Sequence, residues 1–458
     1  MNRTIDFFYE ISRIPRESGN ESKIAEYLCD FAEKRNLFYI KDEYNNVIIK
    51  KKNSEKEAII LQAHTDMVCE KEEGLDFDFT KNGINVYEEN GILRAKGTTL
   101  GADNGIGIAQ ILNILDDDNI KCNVEAVFTA TEETTMVGAE MLDVSNLTAK
   151  KMINLDGFEE NTIIKESTCF YDIILNTNYE YENVESGNSY ELIFKGLKGG
   201  HSGFDIGKNR GNSLKEIVRL LRMIDDCKIV DFVSGSKFNV IPSNGKVVFF
   251  STESKQNVER IVEKYINSRK EEYPEINIVV NELDFDYNSA LNENQTKRLL
   301  SDIEDFAHGV FRRNSKDEVI TSINLGAYNL SEQIFKIGMR SSRKREEKEC
   351  LDYIRDYAKV HDMELTILGS QPGFETKSSS EFLSLIKDAY LKLGNEDKLK
   401  VKSVHITVEA GFFKKKIEDL EIAIISPKIE NAHTTEECVE IESVNRCDRW
   451  IRDIVESL

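Results

Sequence analysis

The early part of the chain alternates two patterns of apolar residues, one typical of a helix and one typical of a buried strand. Residues 20–36 place Ile24, Leu28 and Phe31 on one face of a helix. Residues 58–62 (AIILQ) instead form a continuous apolar run, which predicts a strand covered on both faces. Further strands are predicted at 46–50, 124–129 and 151–155, and a further helix at 105–115. This alternation predicts a layered α/β domain with a largely parallel sheet.

The pattern changes at about residue 185. Two successive segments then each combine strands and helices in an α/β unit of similar size, and from about residue 377 the early pattern returns. We therefore predict a mixed-sheet α/β/α domain formed by residues 1–184 and 377–458, interrupted by an inserted α+β lid domain over residues 185–376. The lid is predicted to consist of two similar units.

Charge and cysteine content narrow the classes of function. The chain has 60 basic and 82 acidic residues, a net charge of −22, which argues against nucleic-acid or anionic-membrane partners because both need a basic surface. No run of 18 apolar residues and no signal-peptide core is present, and the eight cysteines are scattered without a CxxC pair. We expect a cytoplasmic protein with reduced thiols.

Candidate metal ligands follow the ends of the predicted strands. They are His64 and Asp66, then Asp103 in a glycine-rich turn, Glu132 and Glu133, Asp156, and His433. Residues two apart on a strand share a face, so Asp66 can orient the imidazole of His64. Two histidines with several carboxylates suit two zinc ions that share a bridging carboxylate and a water, with cobalt or manganese as alternatives.

Each of these residues alone is more often an ordinary loop or surface residue. Their joint placement at strand ends, where open α/β sheets bind ligands, favours a site. In the inserted region, His201 lies between glycines and could donate to an oxyanion. Asn239 and Arg340 could hold a substrate carboxylate.

Six motifs along the chain resemble a known family. They are LQAHTDMVCEK, KGTTLGADNGIGIA, FTATEETTMVGA, INLDGFEE, FKGLKGGHSGFDI and ENAHTTEECVEI, in this order. Together they resemble the co-catalytic zinc aminoacylase and carboxypeptidase family, and GTTLGADNGIG is similar to its dipeptidase branch, which includes aminoacyl-histidine dipeptidases. The resemblance covers nearly the whole chain. It implies a metallopeptidase fold with a lid and the hydrolysis of unblocked dipeptides, including dipeptides of the Xaa-His type.

The resemblance also implies a role for each candidate residue. One zinc ion would be held by His64, Asp103 and Asp156, and the other by Asp103, Glu133 and His433. Asp66 would orient His64, Glu132 would be the general base, and His201 would be the histidine of the lid. Asn239, Arg340 and Gly411 would contact the substrate, and the peptide bond from Asp103 to Asn104 would be cis.

One segment departs from the family pattern. The family usually carries His-Ala-Gly-Leu-Glu before the last strand, whereas VEAGFF places Glu409 and Phe413 at the expected His and Glu. The preferred dipeptide is therefore left open. Two other functions also stay open, a deacylase for N-acyl amino acids and a non-catalytic binding protein. A homodimer through the lid is one possible assembly, and His201 acting within its own chain is the other.

Overall fold

The computed structural model describes residues 3–53, 57–183, 188–284, 289–394 and 398–458. The helices are α1 (Arg3–Ser12), α2 (Ser22–Lys34), α3 (Ala102–Asp116), α4 (Val137–Met141), α5 (Ser213–Leu221), α6 (Lys255–Arg269), α7 (Glu293–Asp305), α8 (Lys344–Val360), α9 (Glu381–Leu391), α10 (Ala410–Lys416) and α11 (Ile441–Glu456). The strands are β1 (Phe38–Lys41), β2 (Val47–Lys51), β3 (Ala58–His64), β4 (Val86–Glu89), β5 (Ile92–Ala95), β6 (Asn123–Thr129), β7 (Lys151–Asn154), β8 (Thr162–Glu166), β9 (Cys169–Asn176), β10 (Tyr181–Asn183), β11 (Asn188–Lys195), β12 (Gly200–His201), β13 (Lys228–Gly235), β14 (Val240–Ile241), β15 (Gly245–Ser251), β16 (Asn277–Leu283), β17 (Ser289–Leu291), β18 (Gly309–Arg313), β19 (Val319–Asn329), β20 (Ile334–Ser341), β21 (Glu364–Gln371), β22 (Lys400–Ser403), β23 (Glu421–Ile424), β24 (Ile429–Glu430) and β25 (Cys438–Glu440).

These elements divide into two units. The first unit comprises Met1–Ser167, Pro372–Val404 and Val408–Leu458, and the second comprises Thr168–Gln371 with His405–Thr407. The predicted boundary at residues 184 and 185 lies outside the described residues.

The first unit is built on an eight-stranded mixed sheet in the order β1-β2-β6-β3-β7-β23-β8-β22. Its four central strands, β6, β3, β7 and β23, are parallel, whereas β1 and β2 pair antiparallel. A single apolar core joins the sheet to the helices, with Phe8 of α1, Ile106 of α3 and Trp450 of α11 all buried in it. The α/β fold class expected from the sequence is confirmed, and the parallel strands bring the carboxyl ends of β3, β6 and β7 to one edge of the sheet.

The second unit is built on a nine-stranded sheet in the order β16-β11-β15-β13-β19-β20-β9-β21, with β18 beside β19. Strand β13, which the apolar pattern did not predict, pairs with β19 and so joins the two predicted units of the lid into one sheet. A register shift between Ile229 and Asp231 interrupts the alternation of inward and outward side chains along β13. The sequence pattern with a period of two therefore does not predict this strand. Strand β9 pairs with β20 and β21 and therefore belongs to this unit, whose first residue is Thr168.

Two further expectations can be compared with the described residues. All eight cysteines are free thiols, as expected. Among the described residues, no helix combines the length and the apolar character needed to cross a membrane.

Candidate metal centre

Five segments of the first unit bring the candidate ligands together near the carboxyl edge of its sheet. His64 is the last residue of β3, Glu132 and Glu133 lie in the loop after β6, and Asp156 lies two residues beyond β7. Asp103 lies in the first turn of α3, where Gly101 adopts a left-handed φ of 69°. His433 lies between β24 and β25. The peptide bond from Asp103 to Asn104 is cis, which confirms the expectation from the motif.

Asp103 lies between two imidazoles. His64 Nε2 is 3.1 Å from Asp103 Oδ1 and 3.7 Å from Asp156 Oδ1. His433 Nε2 is 3.0 Å from Asp103 Oδ2 and 3.0 Å from Glu133 Oε1. The two oxygens of one carboxylate therefore face two different histidines, which is the arrangement that a bridging ligand between two cations requires.

The described residues contain three groups of side chains that could each hold a metal ion. They are His64 with Asp103 and Asp156, Asp103 with Glu133 and His433, and His64 with Glu132 and Glu133, and the ligand atoms of each group lie within 4.8 Å of one another. Imidazole nitrogens and carboxylate oxygens form a donor set that suits zinc and similar divalent ions.

The electrostatics of the cluster also fit bound cations. Burial, together with nearby carboxylates, raises the pKa of Asp156 to about 6 and holds the pKa of Glu132 well above its usual range. Although burial opposes it, hydrogen bonds with His433 and His64 lower the pKa of Asp103. Divalent cations stabilise such a cluster, because they compensate the repulsion between buried carboxylates.

Asp66 connects His64 to the loop that carries the two glutamates. Its carboxylate accepts hydrogen bonds from the backbone N–H groups of Glu132 (3.0 Å) and Glu133 (3.1 Å). Ser18 Oγ donates to the same carboxylate at 2.7 Å, and His64 Nδ1 lies 3.3 Å from Asp66 Oδ1. Asp66 itself is fully buried. The Asp66 carboxylate therefore orients the His64 ring and holds the backbone of Glu132 and Glu133.

Comparison with known proteins identifies the family. The model of peptidase family M20/M25/M40 matches residues 60–457. The chain belongs to this peptidase family. It is 30% identical over 457 residues to the cytosol non-specific dipeptidase of Escherichia coli (strain K12), a match that covers 96% of this chain and 94% of the relative. The resemblance to dipeptidases that the sequence motifs indicated is confirmed.

Solved structures agree with this assignment. The crystal structure of aminoacylhistidine dipeptidase from Vibrio alginolyticus superposes with a TM-score of 0.87 at 28% identity, over 100% of this chain and 96% of that one. A tripeptidase from Staphylococcus aureus superposes with a TM-score of 0.58 at 15% identity, over 99% and 97% of the two chains, and shows the fold alone.

Glu409 is a buried carboxylate next to the metal centre of this family member. It precedes α10, is fully buried, and accepts hydrogen bonds from Gln62 Nε2 and, at 2.9 Å, from Thr129 Oγ1. Its other oxygen, Oε2, is buried and has no partner among the described residues. Burial, together with the charge of Asp156, raises the pKa of Glu409 to about 7.

The expected departure from the family motif has a simpler interpretation. His405 and Glu409 are four residues apart, the same spacing as the first and last residues of His-Ala-Gly-Leu-Glu. In this register Glu409 occupies the position of the motif's glutamate, and Phe413 lies outside the motif. Phe413 is only 1% exposed and belongs to the apolar interior of the unit. This register is an alternative to the one that places Glu409 and Phe413 at the His and Glu of the motif.

Gly411, a predicted substrate contact, has a clear packing role. A Cβ atom at this position would lie 1.9 Å from the carbonyl oxygen of Pro372, so no larger residue fits there without moving the backbone. The substrate contact itself stays a prediction.

The other predicted substrate residues belong to the second unit. His201 in β12 accepts a hydrogen bond from Gly203 N at Nδ1 (3.1 Å), which leaves Nε2 as the protonated nitrogen of a neutral ring. Burial and the charge of Arg340 lower the pKa of His201 to about 4. Arg340 donates from Nη1 to Thr407 Oγ1 at 3.0 Å, and its Nη2 lies 3.5 Å from His201 Nε2. The backbone carbonyl of Asn239 accepts from Ser202 N at 2.8 Å.

Two buried charged residues beside the metal centre were missed by the sequence interpretation. Arg16 is 2% exposed and Glu437 is 3% exposed, and both bond the backbone near Asp103. Arg16 lies near the start of the chain, before α2, and Glu437 lies in ENAHTTEECVEI, one of the six motifs that carry the family resemblance. The sequence around Arg16 and Glu437 has no feature that distinguishes these two residues from charged residues on the surface.

Proposed function

We propose that this protein is a metal-dependent dipeptidase that hydrolyses unblocked dipeptides. The observation that carries the proposal is the position of Asp103, whose two carboxylate oxygens face His64 and His433 at 3.1 and 3.0 Å. The relatives support the substrate class, because the E. coli and Vibrio proteins are both named as dipeptidases. The name of the E. coli relative also supports a cytoplasmic location for this activity.

The proposal includes two metal ions, zinc in preference to cobalt or manganese. His64, Asp103 and Asp156 would hold one ion, and Asp103, Glu133 and His433 the other. When bound, such ions lower the pKa of a water to about 7 and polarise the scissile carbonyl.

Glu132 is the proposed general base. It neighbours Glu133 in the chain, and its backbone N–H is held by Asp66, so the position of its carboxylate depends on that hydrogen bond. The Glu132 carboxylate would accept a proton from the attacking water and then deliver it to the departing amine.

The second unit contributes to the proposal through the family resemblance. His201, neutral and protonated at Nε2, would donate to the oxyanion, while Asn239 and Arg340 would hold the substrate carboxylate. A homodimer through this unit is a further part of the proposal.

Glu409 supports an unblocked substrate over an N-acylated one. Its unpartnered Oε2 is an acceptor in a buried position, and an ammonium group is a suitable donor for it. A neutral acyl group offers no charge to compensate that carboxylate.

Release of free amino acids from a panel of dipeptides, tripeptides and N-acetyl amino acids tests the proposal. The protein would be stripped with EDTA and assayed with and without added zinc. We expect zinc-dependent cleavage that is confined to dipeptides. Cleavage of acetylated substrates alone would instead identify a deacylase, and binding of zinc without any cleavage would indicate a binding protein.

A further inference from the structure

The turn that presents Asp103 has its backbone polar groups bonded by charged side chains from elsewhere in the chain. This turn, residues 100–103, leads into α3 and contains Gly101 in a left-handed conformation. The N–H groups at this helix start therefore lack the regular partners that a helix interior would give them, whereas the carbonyl of Gly101 accepts from Gly105 N at 3.1 Å.

Glu437 bonds three of these backbone N–H groups with one carboxylate. Leu100 N and Gly101 N donate to Glu437 Oε2 at 2.9 and 3.0 Å, and Asp103 N donates to Oε1 at 3.1 Å. Glu437 is four residues beyond His433, in the same loop. The buried carboxylate of Glu437 therefore connects the loop that carries His433 to the backbone of Asp103.

Arg16 bonds carbonyl groups on the other side of the same turn. Its Nη2 donates to the carbonyl of Gly101, while Nη1 donates to the carbonyls of Thr65 (3.1 Å) and Asp66 (3.0 Å). The guanidinium thus joins the turn to the segment that directly follows His64.

Two glycines, one in the turn and one just beyond it in α3, make room for this guanidinium. A Cβ atom at Gly101 would lie 2.5 Å from Arg16 Nη2, and a Cβ atom at Gly105 would lie 2.7 Å from the same nitrogen. Two glycines of the GTTLGADNGIG motif are therefore explained by the space that Arg16 occupies.

We propose that Arg16 and Glu437 are positioning residues that hold three ligand-bearing segments at a fixed separation and so set the affinity of the protein for its metal ions. The segments are those of His64, Asp103 and His433. This inference rests on the proposed role of Asp103 as a metal ligand. Groups that orient metal ligands through hydrogen bonds typically contribute about 10- to 100-fold to metal affinity.

The dissociation constant for Zn²⁺, measured on metal-stripped full-length protein by competition with a chromophoric chelator, tests the proposal. Glu437→Gln keeps the size of the side chain but turns one acceptor oxygen into a donor that faces backbone N–H groups. We expect zinc affinity to fall by about 10- to 100-fold. Glu436→Gln is the matched control, because Glu436 is exposed in the same loop and the charge change is identical. Its zinc affinity should stay within about twofold of wild type.

Arg16→Lys provides a second, independent variant. It keeps the positive charge, but one ammonium cannot reproduce the fork that reaches three carbonyl groups. We expect at least a tenfold loss of zinc affinity, and Arg13→Lys, at an exposed position, is its control.

Thermal unfolding of each metal-free variant separates positioning from general stability. A lower melting temperature with an unchanged zinc dissociation constant in both variants would overturn the proposal. Failure of both variants to fold even with saturating zinc would also overturn it, because the two residues would then be required for the fold itself. If wild-type protein binds no zinc, the proposed function fails instead, so the two failures are distinguishable.

Discussion

Replacing Asp66 by asparagine tests how the metal centre depends on a single buried carboxylate. The change keeps the shape of the side chain and removes its charge, and the two oxygens of Asp66 have different partners. Oδ1 accepts from Glu132 N and faces His64 Nδ1, whereas Oδ2 accepts from Glu133 N and from Ser18 Oγ. An amide NH₂ at either position therefore leaves one backbone N–H of the glutamate loop without an acceptor.

The size of the effect follows from that lost acceptor. An unpaired buried donor costs about 1–3 kcal/mol, and every 1.4 kcal/mol corresponds to about tenfold in an equilibrium or a rate. Because the same loop carries the proposed general base Glu132 and the proposed ligand Glu133, we expect Asp66→Asn to lower kcat and zinc affinity by about 5- to 150-fold each. Ser18→Ala is the graded control, since it removes one donor to the Asp66 carboxylate but leaves the acceptors of both backbone N–H groups in place, so its effect should be smaller than that of Asp66→Asn.

Steady-state cleavage of a dipeptide at saturating zinc gives kcat, and chelator competition gives the zinc dissociation constant. If both values for Asp66→Asn lie within about threefold of wild type, Asp66 does not hold the loop and the reasoning is refuted. The same conclusion follows if Ser18→Ala is as damaging as Asp66→Asn.

Three further predictions concern the base, the substrate and the response to pH. Glu132→Gln should lower kcat by about 10²- to 10⁴-fold while two metal ions per chain remain bound, as elemental analysis can show. Glu409→Gln should raise KM for unblocked dipeptides at least tenfold with a smaller change in kcat, because it removes a charge-assisted hydrogen bond to the ammonium group. Burial, with nearby cations, lowers the pKa of His308 and His405 to about 3 and that of His201 to about 4. Since the unfolded chain binds protons that the folded second unit does not, the free energy of unfolding of this unit should decrease as the pH falls from about 6.5 towards 4, which calorimetry between pH 7.5 and 5 can follow.

Each of these three has a result that contradicts it. Loss of metal from Glu132→Gln would show that Glu132 is a ligand rather than the base. An unchanged KM for Glu409→Gln would remove the carboxylate from substrate binding. A melting temperature of the second unit that is constant between pH 7.5 and 5 would show that its histidines do not stay neutral on folding.

Much of the candidate site could be predicted from the sequence because its residues follow buried strands. The runs before His64, Glu132 and Asp156 are apolar enough to identify β3, β6 and β7, and parallel strands end at one edge of a sheet. The glycine-rich segment around Asp103 is similarly visible, since a turn with a positive φ favours glycine. Periodicity and motif therefore determined the fold class of the first unit and which side chains meet there.

The tertiary structure alone decided which groups support these side chains. Arg16 and Glu437 look like surface charges in the sequence, and only the fold buries them against the backbone on either side of Asp103. Strand β13 likewise became visible only through its pairing with β15 and β19, because the bulge after Ile229 breaks its local alternation. Local patterns report the period of an element and the end of a strand, whereas hydrogen bonds between residues far apart in the sequence depend on how the whole chain folds.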